Sequence, residues 1–592
     1  MIIGSLVNYY DKLIEDGEDV PMVGYANQSV KYILDINEGG DLVDIVVNTY
    51  FETGYKGKET EVAKKLVVPF AGVKTSGIKT NFLCDDMRYM LGYQLNQDKS
   101  EIVPAGRHFE NSKNHHLELL SNIESKVATA VTNFFINWEV EKPENCELIK
   151  KRIDIDKEFA SSKLVFRLEE TLELAHTNKE IKNSWDNLKT QSEREKYFCL
   201  ITGKFEPLAR KYTTIKGLKS GTEFLIFDYG DATKGTSAFS SYLKPKISEF
   251  TEFKYTAVIS KLLSSKSNKF NIGDTRMIFW SDNNNYMSES TMSEVFGVNN
   301  ASEDEDLKGV LEKLTKGIPL LNFTEDDFKS DFYIVGIVPT NKARAAIRFF
   351  MKNNFGLFLE NIKLHTERFE IEGPPDKKVY LTPWELSQEA VNKNAKEKND
   401  DVIVSILKAI LTNDHYPTSF ISKILTRMKA ELHGDENTAK YAINYRRVGM
   451  IKAYLLKQTN YPKEEITVAL NNEFNEPAYL LGRLFATYEK IQEDDGGNVN
   501  IKSNYFASAS VTPASIFPNI VKSGELYLGK LQGGLKITRE KLIGEIMSLL
   551  PAAPLPKNLS FEEQNLFVLG YYHQRQDFFT KKDNVVEAKE NE

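Results

Sequence analysis

The chain has 592 residues, more than one hydrophobic core usually organises, so its length predicts roughly two to four domains. Hydrophobic residues make up 41% of the sequence and charged residues 27%, as in ordinary globular proteins, and no apolar run reaches the roughly 18 residues that a membrane-spanning helix needs. The net charge of −8 argues against a generic nucleic-acid coat protein but is compatible with contacts through local basic patches.

The cysteines and the first residues indicate the compartment. Cys84, Cys146 and Cys199 are scattered and form no paired motif, which is typical of a reducing environment. The opening MIIGSLVNYYDKLIEDGEDV lacks a basic segment and soon turns acidic, so it does not resemble a secretory signal. We therefore expect a cytoplasmic protein.

From residue 1 to about 375, short β-like runs alternate with helical stretches. KLVVPFAGV at 65–73 and GTEFLIFDYG at 221–230 predict strands, and HHLELLSNIESKVATAVTNFFINW at 115–138 predicts helix. Small antiparallel sheets combined with helices are the expected architecture here. The polar, acidic stretch at 281–306 predicts an exposed loop or a mobile insertion.

The segment VVPFAGVKTSGIKTNFLCDD contains a short loop rich in hydrogen-bond donors. Its Gly77 permits close approach of the backbone to a ligand. The donors are Lys74, Thr75, Ser76, Lys79 and Asn81. Such a loop can hold a phosphate or read the edge of a DNA groove, and the alternative is an ordinary polar turn. The spacing excludes the phosphate-binding motif GxxxxGK[ST].

Two β-like runs flank PTNKA in DFYIVGIVPTNKARAAIRFFMKNN at 331–354, which predicts a hairpin. Arg344 and Arg348 are expected on one face of its second strand, at the two-residue period of a strand. Arginines projecting from a strand suit a phosphodiester backbone. Edge arginines that keep a strand soluble are the alternative.

After GPPDKK at 373–378, whose glycine and prolines mark a boundary, the sequence is almost wholly helical. An α+β fold is therefore predicted, with a mixed region at 1–375 and an all-α helical bundle at 376–592. In the stretch 422–457, eight Lys or Arg residues face three acids, and Arg446 and Arg447 are its densest point. This stretch is either a solvated helical face or a face turned towards a partner or RNA.

NEPAYLLGRLFATYEKIQ predicts a helix with Asn475 as the N-cap and Pro477 in its first turn. Its leucines and aromatic residues follow a helical stripe. Arg483, Thr487 and Lys490 are expected on the opposite face.

The last apolar segment, FVLGYYHQRQDFF, follows Ser560 and Glu563, which predict a capping box and a helix start. Arg575 is expected among four aromatic rings, where it either stacks to fix the bundle or offers a flat cation to a base or phosphate. His573 and Asp577 are expected to form a surface pair.

The sequence offers no recognisable catalytic motif. It contains no HExxH, no GxSxG and no GxGxxG after a strand, so we expect no catalytic site, no metal and no cofactor. Two alternatives stay open. One is a nuclease or RNA-processing enzyme that uses His573 or the pair His115 and His116. The other is a helical scaffold that makes no contact with nucleic acid.

The chain resembles the Csd1 or Dvulg family, the large subunit of the type I-C CRISPR surveillance complex (Cascade). The resemblance rests on segments that occur in the same order along nearly the whole chain. They are SLVNYYDKL at 5–13, PFAGVKTSGIKTNFLCDDMRYMLGY at 69–93, ITGKFEPLARKYTTIKGL at 201–218, FKYTAVISKLL at 253–263, IGDTRMIFW at 272–280, FYIVGIVPTNKARAAIRFF at 332–350, AYLLGRLFATYEKIQ at 478–492, YFASASVTPASIFP at 505–518 and LGYYHQRQDFFTKK at 569–582.

The resemblance implies a non-catalytic protein that joins the crRNA, the repeated backbone subunits and the guide-end subunit. Its N-terminal part would recognise the protospacer-adjacent motif (PAM) of target double-stranded DNA and help to separate the strands. Its C-terminal helices would line the path of the displaced DNA. A helicase-nuclease would then be recruited to the R-loop. Candidate contacts beyond the two regions already named are Arg446, Arg447, Arg483, Lys490 and Arg575.

The resemblance also implies a small subunit made by internal translation of the same gene. A start near Met450 would give a fragment of about 450–592 that repeats the last helices. One departure from the family pattern lies at Val73 and Lys74, where more arginine is expected, so the PAM sequence is not predicted.

Overall fold

The computed structural model describes residues 2–18, 20–53, 59–70, 78–96, 98, 101–190, 196–209, 215, 217–218, 247–298, 309–313, 323–339, 345–391, 400–434, 436–459, 461–496 and 501–579. The strand predicted at 221–230 lies outside the described residues. So do the candidate residues Lys74, Thr75, Ser76 and Arg344.

The chain divides into two compact units. The first comprises 1–264 together with 339–346, and the second comprises 265–338 and 347–592. The functional division expected near residue 375 stays a prediction, as does the small-subunit-like segment after Met450.

The first unit combines helices with short strands. Its helices are α1 Ile2–Glu15, α2 Met87–Met90, α3 Gly106–Leu120, α4 Lys126–Asn137, α5 Pro143–Ile155, α6 Lys179–Thr190 and α7 Glu249–Ser264. Its strands are β1 Tyr25–Ile36, β2 Leu42–Val47, β3 Thr49–Thr53, β4 Glu59–Pro69, β5 Cys84–Asp86, β6 Tyr93–Leu95, β7 Ile102–Pro104, β8 Lys163–Leu168, β9 Glu173–Leu174, β10 Lys196–Phe198 and β11 Phe205–Pro207.

A seven-stranded sheet organises this unit, in the order β3-β4-β1-β8-β5, with β2 also on β1 and β9 also on β8. The pairing of β1 with β8 is parallel, and the other recorded pairings are antiparallel. Asn48 lies between β2 and β3, where its amide donates to the Val30 carbonyl at 2.9 Å. The predicted strand at 65–73 corresponds to the end of β4.

Helix α4 covers one face of this sheet. The rings of Phe134 and Phe135 lie 4.9 and 5.6 Å from the ring of Phe166 in β8, and all three side chains are buried. The stretch predicted as helix at 115–138 forms two helices, because α3 ends at Leu120 and α4 begins at Lys126.

The second unit contains a smaller sheet and most of the helices. Its strands are β12 Lys269–Ile272, β13 Thr275–Ser281, β14 Asp331–Pro339 and β15 Ala345–Asn354. Its helices are α8 Tyr286–Phe296, α9 Glu325–Lys329, α10 Phe355–Phe369, α11 Pro383–Ala390, α12 Asp400–Thr412, α13 Thr418–Glu431, α14 Glu436–Tyr441, α15 Tyr445–Gln458, α16 Pro477–Asp494, α17 Ile501–Ala509, α18 Pro513–Leu528, α19 Gly533–Leu549 and α20 Phe561–Asp577.

The four strands pair in chain order, and β14 and β15 are the two strands of the hairpin predicted at 331–354. Gly336 in β14 makes room for the ring of Phe349, which a Cβ at this position would approach to 2.4 Å. The hairpin prediction is therefore confirmed.

The prediction of a loop at 281–306 is wrong for the first half of this stretch. Residues Tyr286–Phe296 form α8, with Asn285 accepting from the Ser288 N–H as N-cap and Gly297 ending the helix at φ +70°. The helix is largely buried, and its Glu289 accepts a hydrogen bond from the Ser281 backbone at 3.1 Å. The Glu289 carboxylate, which the sequence suggested to be solvated, is satisfied inside the unit.

Helices α16 and α20 form the tightest contact of the bundle. A Cβ at Gly482 would lie 2.1 Å from the Phe567 carbonyl oxygen, and one at Gly570 would lie 2.1 Å from that of Tyr479. Only hydrogen fits at either glycine, so the two helix backbones touch.

Helices α16 and α20 begin where the sequence predicts, but the N-cap residue of α16 differs from the prediction. The capping box at Ser560 and Glu563 is present at the start of α20. Pro477 opens α16, but the N-cap is Glu476 and not Asn475. Arg483 and Thr487 are buried, so α16 has no solvated face at these positions.

The described elements confirm the α+β fold class, with strands towards the N-terminus and helices alone after β15. No described helix is long and apolar enough to cross a membrane.

Candidate nucleic-acid interface

The described residues that follow the donor-rich loop are fixed by hydrogen bonds, and we call them the loop base. The Asn81 backbone N–H donates to Asp85 at 2.9 Å, and Lys163 donates to the other oxygen of this buried carboxylate at 3.0 Å. The Thr80 hydroxyl donates to Ser112 in α3 at 3.1 Å. Asn81 is buried, so its predicted contact would need the backbone to move, whereas Lys79 is exposed.

Three cationic residues, Lys79, Arg88 and Arg107, belong to segments that meet at Tyr89. The Lys79 backbone N–H donates to the Tyr89 hydroxyl, and the guanidinium of Arg88 lies 5.8 Å from the Tyr89 ring centroid. The His108 ring meets the Tyr89 ring edge-on at 5.1 Å, which places the first turn of α3, with Arg107, in the same region. We call Lys79, Arg88 and Arg107 the loop-base patch.

Two members of the loop-base patch are available to an anion. Lys79 and Arg107 are exposed, and neither makes an ion pair with any described residue. Arg88 is half-exposed and already binds both oxygens of Asp86, at 3.1 and 2.9 Å. Arg88 and Arg107 carry no local signal in the sequence, because only the fold brings α2 and α3 close to Lys79.

Arg348 has partners within the second unit. Its guanidinium donates to the Thr275 hydroxyl at 2.6 Å and forms an ion pair with Asp401. Asp401 is itself exposed, so a phosphate would compete with this carboxylate for the guanidinium. The nucleic-acid role of Arg348 stays a prediction.

Arg446 and Arg447 begin α15 and differ in environment. Arg447 is buried between Glu389 at 3.0 Å and Glu431, and it also donates to the Ala442 carbonyl at 2.7 Å. Arg446 is partly exposed, and its nearest carboxylate oxygen, on Glu389, is 3.8 Å away. Of the two, only Arg446 can reach a ligand without breaking buried ion pairs.

Arg483 lies inside the bundle. It donates to Gln574 in α20 at 3.1 Å and to Asn472 at 2.7 Å, and burial lowers its pKa. Gln574 in turn donates to Asp577 at 3.3 Å. This chain of hydrogen bonds ties α16 to α20, so its evident role is structural.

Lys490 and Arg575 share an acidic partner at the end of α16. Arg575 forms an ion pair with Glu493 at 2.9 Å, and its guanidinium lies 5.4 Å from the Phe579 ring centroid. Lys490 pairs with Glu493 at 3.3 Å and with Asp494 at 2.9 Å. The stacking predicted for Arg575 is therefore present with one ring, together with an ion pair that the sequence did not reveal.

Of the three histidines proposed as catalytic groups, His573 and His116 are interior residues, whereas His115 is partly exposed. His573 is buried and hydrogen-bonds to the Tyr479 hydroxyl at 3.0 Å, so the predicted surface pair with Asp577 is wrong. Burial lowers the pKa of His573 to about 3. His116 is also buried, accepts the Leu83 N–H at 2.9 Å, and has its pKa lowered by burial to about 3.

Among the described residues, no group of three or more His, Cys, Asp or Glu side chains could hold a metal ion. The candidate cations that remain accessible among the described residues are Lys79, Arg107 and, in part, Arg446.

Comparison with models of known protein families gives a match. The family model for the CRISPR-associated protein Cas_Csd1 matches residues 6–579. A search of curated proteins found no match. The match covers nearly the whole chain and confirms the resemblance noted in the sequence. The protein belongs to the Csd1 family of CRISPR-associated proteins.

Proposed function

We propose that this chain is the large subunit of a type I-C Cascade complex that recognises the PAM in duplex DNA, promotes strand separation and stabilises the R-loop, without catalysing a reaction. The observation that carries the proposal is the family match over residues 6–579. Its partners in this role are the crRNA, the target DNA, the repeated backbone subunits, the guide-end subunit, the internally translated small subunit and the recruited helicase-nuclease.

The energetics of strand exchange allow an acidic protein to perform this role. Guide pairing reads the target sequence, and the RNA–DNA heteroduplex is about as stable as the DNA duplex that it replaces. A few phosphate contacts are therefore enough to tip the balance, and a short PAM needs only two or three side chains that read base edges. The overall charge of −8 limits attraction to unrelated DNA.

The surroundings of the histidines support the non-catalytic assignment. His573 and His116 are both buried and hydrogen-bonded, and burial holds each imidazole neutral at pH 7. A general acid or base must reach its substrate proton. Neither side chain has that access, which disfavours the enzyme alternative.

The loop-base patch gives a direct test of DNA contact. We expect Lys79→Glu combined with Arg107→Glu, in the guide-loaded complex, to weaken binding of a PAM-containing duplex by about tenfold or more. The slope of the logarithm of affinity against the logarithm of salt concentration should fall by about 2, because two phosphate contacts are lost. Gel-shift titrations at several salt concentrations measure both quantities.

Lys157→Glu is the matched control, since Lys157 is an exposed lysine of the same unit, outside the loop-base patch. Unchanged affinity and salt dependence in the double variant would refute contact through the patch. A complex that binds its target equally well without this chain would refute the proposed function itself and favour a scaffold. Cleavage of guide or target by the purified chain, lost in His573→Ala, would favour the enzyme.

A further inference from the structure

The hairpin formed by β10 and β11 has an unusual outward face. Phe198 pairs with Phe205 across the two strands, and their rings meet edge-on at 5.7 Å. Phe198 is 49% exposed, Phe205 is 71% exposed, and Leu200 in the turn is 59% exposed. The solvent face of an antiparallel hairpin is normally polar. A cluster of exposed rings therefore marks an interaction surface.

The opposite face of the hairpin is anchored. Cys199 is buried, with its sulfur 3.3 Å from the Thr251 hydroxyl in the first turn of α7. The Ala209 N–H donates to the Ile247 carbonyl at 2.9 Å just before that helix. The rings thus project from a backbone that is tied to a 16-residue helix of the same unit. A rigid support reduces the entropy lost when a ligand is bound.

The hairpin itself carries two lysines and one acid. Residues 196–207 contain Lys196, Lys204 and Glu206, in a chain that is acidic overall. Lys196 and Lys204, on the described part of this segment, are exposed and make no ion pair with any described residue. Exposed aromatic rings flanked by cations are the combination that binds single-stranded nucleic acid, where bases stack on the rings and phosphates meet the cations.

We propose that the segment Lys196–Pro207, the aromatic hairpin, is a stacking platform for unpaired bases of a nucleic-acid strand. The proposal rests on the proposed function only for the source of that strand, which is either the guide or a separated target strand. Two stacked bases are worth on the order of 30-fold or more in affinity.

The test uses the purified full-length chain and two fluorescein-labelled oligonucleotides, one with bases and one abasic with the same number of phosphates. Fluorescence anisotropy should show tighter binding of the strand with bases. We expect Phe198→Ala with Phe205→Ala to lower that affinity about tenfold or more, towards the abasic value, and to leave abasic binding unchanged. Phe51→Ala is the matched control, since Phe51 is 70% exposed on β3 of the same unit.

A second variant makes the test independent of the alanine changes. Phe205→Trp keeps a stacking ring and adds a fluorophore to a chain with four tryptophans. The tryptophan emission that this variant shows in excess of the parent chain should be quenched by the strand with bases and not by the abasic strand. Thermal unfolding midpoints check that the exposed substitutions leave the fold intact.

Two results would overturn the proposal. One is equal affinity of the parent chain for the two oligonucleotides. The other is binding by the double alanine variant that matches the parent chain. If the double alanine variant binds nucleic acid like the parent chain but sediments differently, the proposal is also overturned. The exposed face is then identified as a contact with protein.

The assembled complex separates the two sources of the strand. In a complex with Phe205→Trp, quenching on guide loading identifies the guide, and quenching only after target addition identifies a DNA strand. No quenching at either step would overturn the platform in the complex. If the complex needs this chain to bind its target but binds the target equally well with the double alanine change, the stacking platform is refuted. The proposed function is then retained.

Discussion

At the residue scale, the structure separates cations that hold the protein together from cations that can meet a ligand. Arg447 and Arg483 lie in the interior with defined partners, whereas Lys79 and Arg107 are exposed without a carboxylate among the described residues. The sequence analysis identified a basic stretch at 422–457 and a donor-rich loop within 67–93. It could not assign the partners, because Glu389 and Gln574 reach these arginines from helices distant in sequence.

Arg575→Ala tests the structural role of this arginine. The change leaves Glu493 without its closest guanidinium, and it removes a cation that interacts with the buried Glu489. We expect the second unit to lose on the order of 2 kcal/mol of stability, since removing one partner of a partly buried ion pair leaves an uncompensated charge. Urea unfolding of the full chain measures the change. A loss confined to R-loop retention, with an unchanged midpoint, would instead indicate contact with DNA.

At the scale of elements, strongly periodic segments were predictable and polar ones were not. The hairpin of β14 and β15 and the helix that begins at Ser560 follow from turn residues, alternation and a capping box. Helix α8 was missed because Glu289 and its polar neighbours resemble a solvated loop. Their hydrogen-bond partners, such as Ser281 and Asn268, come from neighbouring strands that local sequence does not reveal.

The contact between α16 and α20 predicts a large effect from one methyl group. We expect Gly482→Ala to destabilise the second unit by about 3 kcal/mol or more, because its Cβ would overlap the Phe567 carbonyl and force the helices apart. The unfolding midpoint of the full chain provides the measurement.

Gly544→Ala in α19 is the control, since nothing lies within 4 Å of a Cβ built at that position. There the same exchange should stabilise the helix by roughly 0.5–1 kcal/mol, because alanine loses less backbone entropy than glycine. Similar destabilisation by both changes would contradict the close contact between α16 and α20.

At the scale of the whole molecule, buried histidines predict sensitivity to acid. Burial lowers the pKa values of His116, His365 and His573 to about 3, against about 6.5 when unfolded. Between about pH 3 and pH 6.5 these histidines bind protons in the unfolded chain but not in the folded chain. Their contribution to the free energy of unfolding is therefore complete above about pH 6.5 and decreases as the pH falls below this value. Each histidine contributes a slope of about 1.4 kcal/mol per pH unit well below 6.5.

Thermal unfolding followed from pH 7.5 to pH 4.5 checks this dependence. His573→Gln should reduce the pH slope of the second unit, since one proton-binding difference is removed. A parent chain whose midpoint does not fall below pH 6 would contradict neutral buried imidazoles.

The general architecture was accessible from the sequence because apolar periodicity sets which faces are buried. The seven-stranded sheet was harder to predict, since the parallel pairing of β1 with β8 joins strands more than a hundred residues apart. Separation along the chain also concealed that Lys79, Arg88 and Arg107 lie near Tyr89, because they belong to different elements. Long-range geometry of this kind is absent from local patterns.

The position of α20 has a consequence for biosynthesis. This helix is the last element that the structure describes, yet its residues Phe567 and Tyr571 fill the core beside α16. While the ribosome is still adding the final residues of α20, the preceding helices expose the apolar surface that it will cover. The bundle can therefore close only after α20 has left the ribosome, and a nascent chain that stalls earlier would be a substrate for chaperones and proteases.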